Sequence, residues 1–213
     1  WYGERLPAPD AARLAGERYD SARPALSAAA ERGIDVRRGH FCWGIFDERV
    51  AGISDGTRAE LVQAEIILLA TGSTDLPLAF QGRTLAGVLG GHAALDLLAT
   101  WGSLGGERVV VLGAGNLGLE VARQSRVAGH TVVTIADIAE QPSGDPALVA
   151  ELEASGVEFV PGVTIRYAQG TNGLEQVMLV PVDAEGHRTP DTPYPVRADT
   201  LVVAIGRAPA VEL

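Results

Sequence analysis

This chain of 213 residues contains no lysine, so all 17 of its basic side chains are arginine. The absence excludes every mechanism that needs a lysine amine: a Schiff base, a P-loop lysine, or the Tyr-x-x-x-Lys pair of short-chain dehydrogenases. Cysteine is almost missing too, with Cys42 alone. One thiol makes no internal disulfide and no Cys-x-x-Cys redox centre. Set in the apolar run Phe41 to Phe46, Cys42 reads as a small buried hydrophobe. Positive charge is in deficit: the formal net charge is −10 and the pI is near 4.8, a balance that repels nucleic acid and anionic membrane. No apolar run approaches the ~20 residues of a membrane span, and the N-terminus has no signal-like pattern. The expected setting is soluble and cytoplasmic. The four histidines, His40, His92, His130 and His187, are scattered, and no two have the short spacing of a metal-ligand pair. No metal site and no catalytic side chain is assigned.

What is present centres on Arg108 to Asp137, and within it on Val109-Val110-Val111-Leu112-Gly113-Ala114-Gly115-Asn116-Leu117-Gly118. A run of β-branched residues breaks onto glycines and continues at helical spacing, which predicts a buried strand, a tight turn and a helix. Gly113 lets the chain turn, Gly115 lets backbone approach a pyrophosphate, and Gly118 lets the helix lie close on the strand. The N–H groups of the first helical turn and the helix dipole then face the phosphates. Three glycines alone are a weak signal, so the flanks decide. Gly129 stops the helix, and Thr131 to Ala136 forms a second apolar strand ending in Asp137, about 20 residues on, where an acid accepts a ribose 2′-hydroxyl. Asp137 also favours NAD over NADP, because a carboxylate repels a 2′-phosphate and no arginine follows it closely. The competing reading is a glycine-rich turn in an α/β core, with Asp137 capping a loop.

Elsewhere the pattern predicts one or two surface helices over residues 9–33, interrupted at Pro24 and stopped at Gly33. Short alternating segments come next at Ile34–Arg37, Phe41–Phe46, Arg49–Ile53 and Glu60–Ala64, the pattern of a β-meander. Glu65 to Leu69 is nearly all apolar, as a strand buried on both faces would be, and ends in Ala70-Thr71-Gly72. Residues 73–105 read as a connector with one short helix, Ala93 to Trp101. A helix from Asp145 or Pro146 to Ala154 and a strand Val157 to Val160 extend the nucleotide-binding half. A second meander has candidate strands Thr164–Ala168, Leu174–Val182 and Tyr194–Arg197, with Pro181 placing the longer one at an edge. A last buried strand, Thr200 to Ile205, leads into Gly206-Arg207-Ala208-Pro209.

Both halves thus run through a meander into a buried strand that ends in a small residue and glycine, at Ala70-Thr71-Gly72 and Ala204-Ile205-Gly206. With the glycine fingerprint and Gly206-Arg207-Ala208-Pro209, this resembles the two-dinucleotide-domain flavoproteins of the pyridine nucleotide-disulfide oxidoreductase superfamily. The resemblance implies an α/β fold: a Rossmann-like βαβ NAD(P)-binding domain with a β-meander, plus a partial FAD-binding domain. The expected division is residues 1–80 for the partial FAD-binding domain, 81–105 for a connector and 106–213 for the NAD(P)-binding domain. It also implies roles for Gly113, Ala114, Gly115, Asn116, Leu117 and Gly118 at the phosphates. Asp137 falls at the ribose, Glu120 near the nicotinamide, Gly206 among the cofactor-binding residues, and Ala70, Thr71 and Gly72 at the flavin. Trp43-Gly44-Ile45-Phe46, Thr84-Leu85-Ala86-Gly87-Val88 and Val133 to Asp137 resemble the FAD subunits of amine and amino-acid oxidising complexes, such as sarcosine oxidase alpha, opine oxidase and hydrogen cyanide synthase. Glu120 departs from that subgroup, which usually carries an aliphatic residue there.

The family's FAD fingerprint and its closing Gly-Asp motif are not in this sequence, which therefore resembles the middle of a longer flavoprotein. The leading expectation is an oxidoreductase segment whose NAD domain exchanges a hydride with FAD, the flavin in turn serving an amine, an amino acid or a redox partner. An isolated NAD-sensing module and a stand-alone dehydrogenase are the alternatives. Expected partners are the dinucleotide and further oxidoreductase subunits or a second copy. The segment by itself is expected to retain little or no FAD.

Overall fold

The computed structural model describes residues 24–210 apart from residues 26 and 30. In chain order the strands are β1 (Phe41–Phe46), β2 (Val50–Ser54), β3 (Ala59–Gln63), β4 (Ser73–Asp75), β5 (Val88–Gly90), β6 (Arg108–Leu112), β7 (Thr131–Ala136), β8 (Glu158–Val160), β9 (Val163–Gln169), β10 (Gln176–Pro181), β11 (Tyr194–Arg197), β12 (Thr200–Val203) and β13 (Arg207–Pro209). Three helices of the larger unit are α1 (Gly91–Trp101), α2 (Asn116–Val127) and α3 (Pro146–Ala154). The chain divides into two compact units, one of residues 75–208 and one whose described residues lie in 24–74 together with 209 and 210.

The larger unit is built on a five-stranded parallel sheet in the order β5-β12-β6-β7-β8. Side chains alternate across a strand, and β6 uses both faces. Val109 and Val111 join a core with Leu98 of α1, Leu117, Leu119 and Val121 of α2, and Leu152 of α3. Val110 and Leu112 join a second core with Ile165 of β9, Val177 and Leu179 of β10, and Leu201 and Val203 of β12. The sheet is thus covered by helices on one face and by the antiparallel sheet β11-β10-β9 on the other. That is why its central strands read as unbroken apolar runs.

Local signals set the helix limits. α1 buries Ala94, Leu95, Leu98 and Ala99 at helical spacing and stops at Gly102, whose left-handed backbone (φ 66) brings its N–H to the Leu98 carbonyl at 2.9 Å. α3 starts with Pro146 at its first position, and the Asp145 carboxylate accepts the Ala147 N–H at 2.9 Å, a cap worth about 1 kcal/mol.

Two expectations are corrected in this unit and its flank. β10 is the central strand of its sheet, not an edge. Pro181 is tolerated because it is the last residue of β10, beyond Leu179, where pairing with β11 stops. Residues 81–105 are more than a connector, for β5 pairs with β12 from Val88 to Gly90 and α1 packs into the helical core. Three residues of strand are too few for any periodicity to announce.

The smaller unit carries the antiparallel sheet β1-β2-β3, as its meander pattern predicts. Gly52 is glycine because the Trp43 ring lies against it, leaving no clear space for a Cβ. Cys42 is half-buried instead of enclosed, its thiol 3.4 Å from the Gly44 carbonyl. Glu65 to Leu69 is not a strand, and Ile66, Leu68 and Leu69 are exposed. Ile34 to Arg37 is not one either. A strand needs a neighbour to accept its ladder, and among the described residues neither segment has one. The helices expected over residues 9–33 fall mostly outside the described residues; those described between 24 and 31 are helical.

Candidate functional site

The larger unit has a cleft of about 800 Å³ where β6, β7 and β12 end. The chain leaves β6 through Gly113, whose φ of 114° is closed to ordinary side chains and where a Cβ would strike the Ala204 carbonyl. Gly118, one turn later in α2, faces the Gly113 carbonyl so closely that a Cβ has no room. The fold demands both glycines. Gly115 differs: its backbone is extended (φ −80°, ψ 176°), which any residue adopts, and a Cβ there would meet only Ser143 Oγ, at 3.6 Å. Neither conformation nor protein packing asks for glycine at 115.

Gly115 is the N-cap of α2 and offers no side-chain cap. The first intrahelical bond runs from the Leu119 N–H to the Gly115 carbonyl at 3.0 Å, so the N–H groups of residues 116–118 have no partner within the helix. An uncapped helix start beside an open glycine is suited to an anion.

Asp137 comes directly after β7 on the same rim. One carboxylate oxygen accepts the Ala114 N–H at 2.5 Å, the other the Ala139 N–H at 2.9 Å. The carboxylate therefore ties the end of β7 to the glycine turn. Each oxygen has two acceptor positions, which leaves room for a hydroxyl as well.

Of the residues named from the sequence, Gly113, Gly115, Asn116, Leu117, Asp137 and Gly206 line the cleft. Ala114 and Gly118 are buried beneath it. Glu120 does not line it: its carboxylate accepts from Arg123 Nη2 at 3.0 Å and from Gln124 Nε2 at 3.0 Å along α2. That i, i+3 and i, i+4 pattern was open to reading in the sequence. Ala70, Thr71 and Gly72 belong to the smaller unit and are exposed; the Thr71 hydroxyl donates to the Ala210 carbonyl, and the Ala210 N–H donates to the Gly72 carbonyl at 3.0 Å.

The cleft is completed by residues that no local motif announces. Ile138, Ala139 and Ser143 come from the loop after β7, Thr164 from β9, Gly186 and Arg188 from the β10–β11 hairpin, and Leu78 from the segment before β5. Apart from the cleft, His92 Nδ1 lies 2.6 Å from the Asp75 carboxylate, which also accepts the His92 N–H at 2.9 Å and so anchors the start of α1. Among the described residues no group of three His, Cys, Asp or Glu could hold a metal, and no helix is long and apolar enough to cross a membrane.

Residues 2–213 match the family described as pyridine nucleotide-disulphide oxidoreductase. The chain is 34% identical to the probable ferredoxin reductase CtmF of Castellaniella defragrans over 58% of its own length and 33% of that protein's. It is 28% identical to an opine oxidase subunit of Agrobacterium tumefaciens, over 63% of this chain and 28% of the other. The chain spans about a third of the length of these curated relatives. Among solved structures, the thioredoxin reductase of T. acidophilum superposes with a TM-score of 0.68 at 18% identity, covering 89% of this chain and 60% of that one. That likeness concerns the fold.

Proposed function

Because the chain belongs to the pyridine nucleotide-disulphide oxidoreductase family, whose members bind FAD and NAD(P), we propose that its larger unit holds NAD(H) in the cleft beyond β6. The phosphates lie on Gly115 and the N-terminus of α2, and the adenosine ribose lies on Asp137. One observation carries the reading: Gly115 is the glycine of the fingerprint that the fold itself does not require. The open space over it fits a ligand that must approach the backbone closely.

When bound, NADH supplies a hydride from its nicotinamide. The chain's own contribution is to orient the dinucleotide. The N–H groups of residues 116–118 and the helix dipole oppose the diphosphate charge. Asp137 accepts from the ribose while holding the glycine turn in place through Ala114. Ile205 and Gly206, which follow β12, also line the cleft, and we assign the nicotinamide to their side.

In the complete protein we take the hydride acceptor or donor to be FAD, with residues 1–80 contributing part of its domain. Ala70-Thr71-Gly72 offers one wall of a flavin site, and the glycine turn and helix that would hold the flavin diphosphate are expected from another part of the complete protein. The similarity to an opine oxidase subunit supports an amine or amino acid as the flavin's other substrate and other subunits as partners. The similarity to a probable ferredoxin reductase supports a redox protein instead. Hydride exchange between NAD(H) and flavin is common to both.

Titration calorimetry tests the nucleotide site. The parent chain binds NADH and Gly115→Val does not, because the valine side chain fills the place of the pyrophosphate. Equal affinity of the two proteins would place the nucleotide elsewhere.

A further inference from the structure

Two side chains outside the fingerprint line the same cleft as Gly115 and Asn116, and the role argued for them rests on the proposed nucleotide site. The first is Ser143. The loop after β7 folds back on the glycine turn: the N–H groups of Ser143 and Gly144 both donate to the Ala114 carbonyl at 3.1 Å, and the Asp145 N–H donates to Asn116 Oδ1 at 2.7 Å. Gly144 is glycine because a Cβ there would run into Leu119 and the Asn116 backbone. So pinned, Ser143 holds its hydroxyl 3.6 Å from the point a Cβ of residue 115 would occupy. The residue is exposed, and the hydroxyl has no hydrogen bond among the described residues.

The second is Arg188. α2 packs on one face of the parallel sheet and β10 on the other, so the hairpin after β10 forms the wall of the cleft opposite α2. Arg188 is carried there by a bridge to Val182, and a Cβ placed on Gly186 of the same hairpin would meet Ile138 Cδ1 at 4.0 Å across the rim. A guanidinium has five N–H donors. Arg188 gives one to the Ala79 carbonyl, at 3.4 Å, and no carboxylate pairs with it among the described residues, although the chain has 27 acidic residues. It lines the cleft, exposed, with most of its donors unspent. A planar fork of donors matches two phosphate oxygens at once.

We propose that Ser143 and Arg188 are phosphate ligands of the bound dinucleotide, which hold its pyrophosphate between the N-terminus of α2 and the β10–β11 hairpin. The pyrophosphate is common to NADH and NADPH, so the effect of losing either side chain must be the same for both.

The test is calorimetric titration of the 213-residue chain with NADH and with NADPH, using the parent, Ser143→Ala, Arg188→Gln, Arg188→Lys and Gly115→Val, with thermal melting of each as a check on folding. Arg188→Gln is expected to weaken both nucleotides about tenfold or more, and Ser143→Ala both by about threefold to tenfold. Arg188→Lys, which keeps the charge and loses the fork, falls between Arg188→Gln and the parent. Loss confined to NADPH would assign Arg188 to the 2′-phosphate and overturn the proposal. Unchanged affinities in both substitutions, with Gly115→Val still abolishing binding, would overturn it and leave the nucleotide site standing. A parent chain that binds neither nucleotide overturns both.

Discussion

Two apolar runs of four residues, Val109 to Leu112 in the larger unit and Ile66 to Leu69 in the smaller, each stand just before a turn that contains glycine. In the first, no residue is more than 2% exposed. In the second, Ile66, Leu68 and Leu69 are 76%, 88% and 59% exposed. The difference lies in the neighbours. β6 has β12 on one side and β7 on the other, so its backbone groups are paired and both its faces covered. Ile66 to Leu69 has no ladder partner among the described residues. An apolar run states a demand for burial; only adjoining strands can meet it. A Leu or Ile left in water forgoes about 1.5 to 3 kcal/mol.

The sharpest way to break this contrast is to place one charge in each run. Val111→Asp buries an unpaired carboxylate in the core beneath the helices and is expected to cost about 4 kcal/mol or more, read as loss of the cooperative unfolding transition in urea. Leu68→Asp, on the exposed run, should change stability by no more than about 0.5 kcal/mol and should lower self-association in sedimentation velocity. Similar destabilisation by the two substitutions would show that the second run is buried after all.

A second test works inside the glycine turn beyond β6. Gly118→Ala forces a methyl group onto the Gly113 carbonyl and should lower stability by about 1 to 3 kcal/mol. Gly115→Val should leave the melting temperature nearly unchanged while abolishing NADH binding. If both variants melted alike, Gly115 would be serving the fold and not a ligand.

Asp137 joins the two roles. Asp137→Ser should narrow the preference for NADH over NADPH by about 1 to 3 kcal/mol, measured by parallel titrations. Because the carboxylate also accepts the Ala114 N–H, the same variant should melt earlier than the parent. Equal affinities for the two cofactors in the parent would remove Asp137 from the ribose.

The smallest expected effect returns to the smaller unit. Backbone N–H groups of Arg58 and Thr57, then the Thr57 hydroxyl, hold the Asp55 carboxyl down to about 2 in the turn between β2 and β3. Since the folded value lies below the ordinary 3.8, this turn's contribution is complete above the ordinary value and is lost as pH falls through the folded one. NMR titration between about pH 5 and pH 1.5 should give a low midpoint for Asp55, and Asp55→Asn should abolish this part of the acid sensitivity of the β2–β3 pairing. An Asp55 midpoint at its ordinary value would remove this contribution.

The sequence alone determined what depends on near neighbours. The strand, glycine turn and helix from Arg108 to Val127, the Thr131 to Ala136 strand, the cap at Asp145 and the meanders are all written in spacings shorter than a helix or a hairpin. Periodicity and turn chemistry act over that range. What only the tertiary structure decided depends on residues far apart in the chain. Whether Glu65 to Leu69 forms a strand depends on a partner the run cannot supply. Whether Pro181 marks an edge depended on where β11 ends. That Asp137 props the glycine turn through Ala114, and that Ser143 and Arg188 reach the same cleft, comes from β7, the loop behind it and the β10–β11 hairpin meeting at one end of the parallel sheet. No local pattern encodes that meeting, because burial of the two faces of β6 brings those segments together, and burial is a property of the whole sheet.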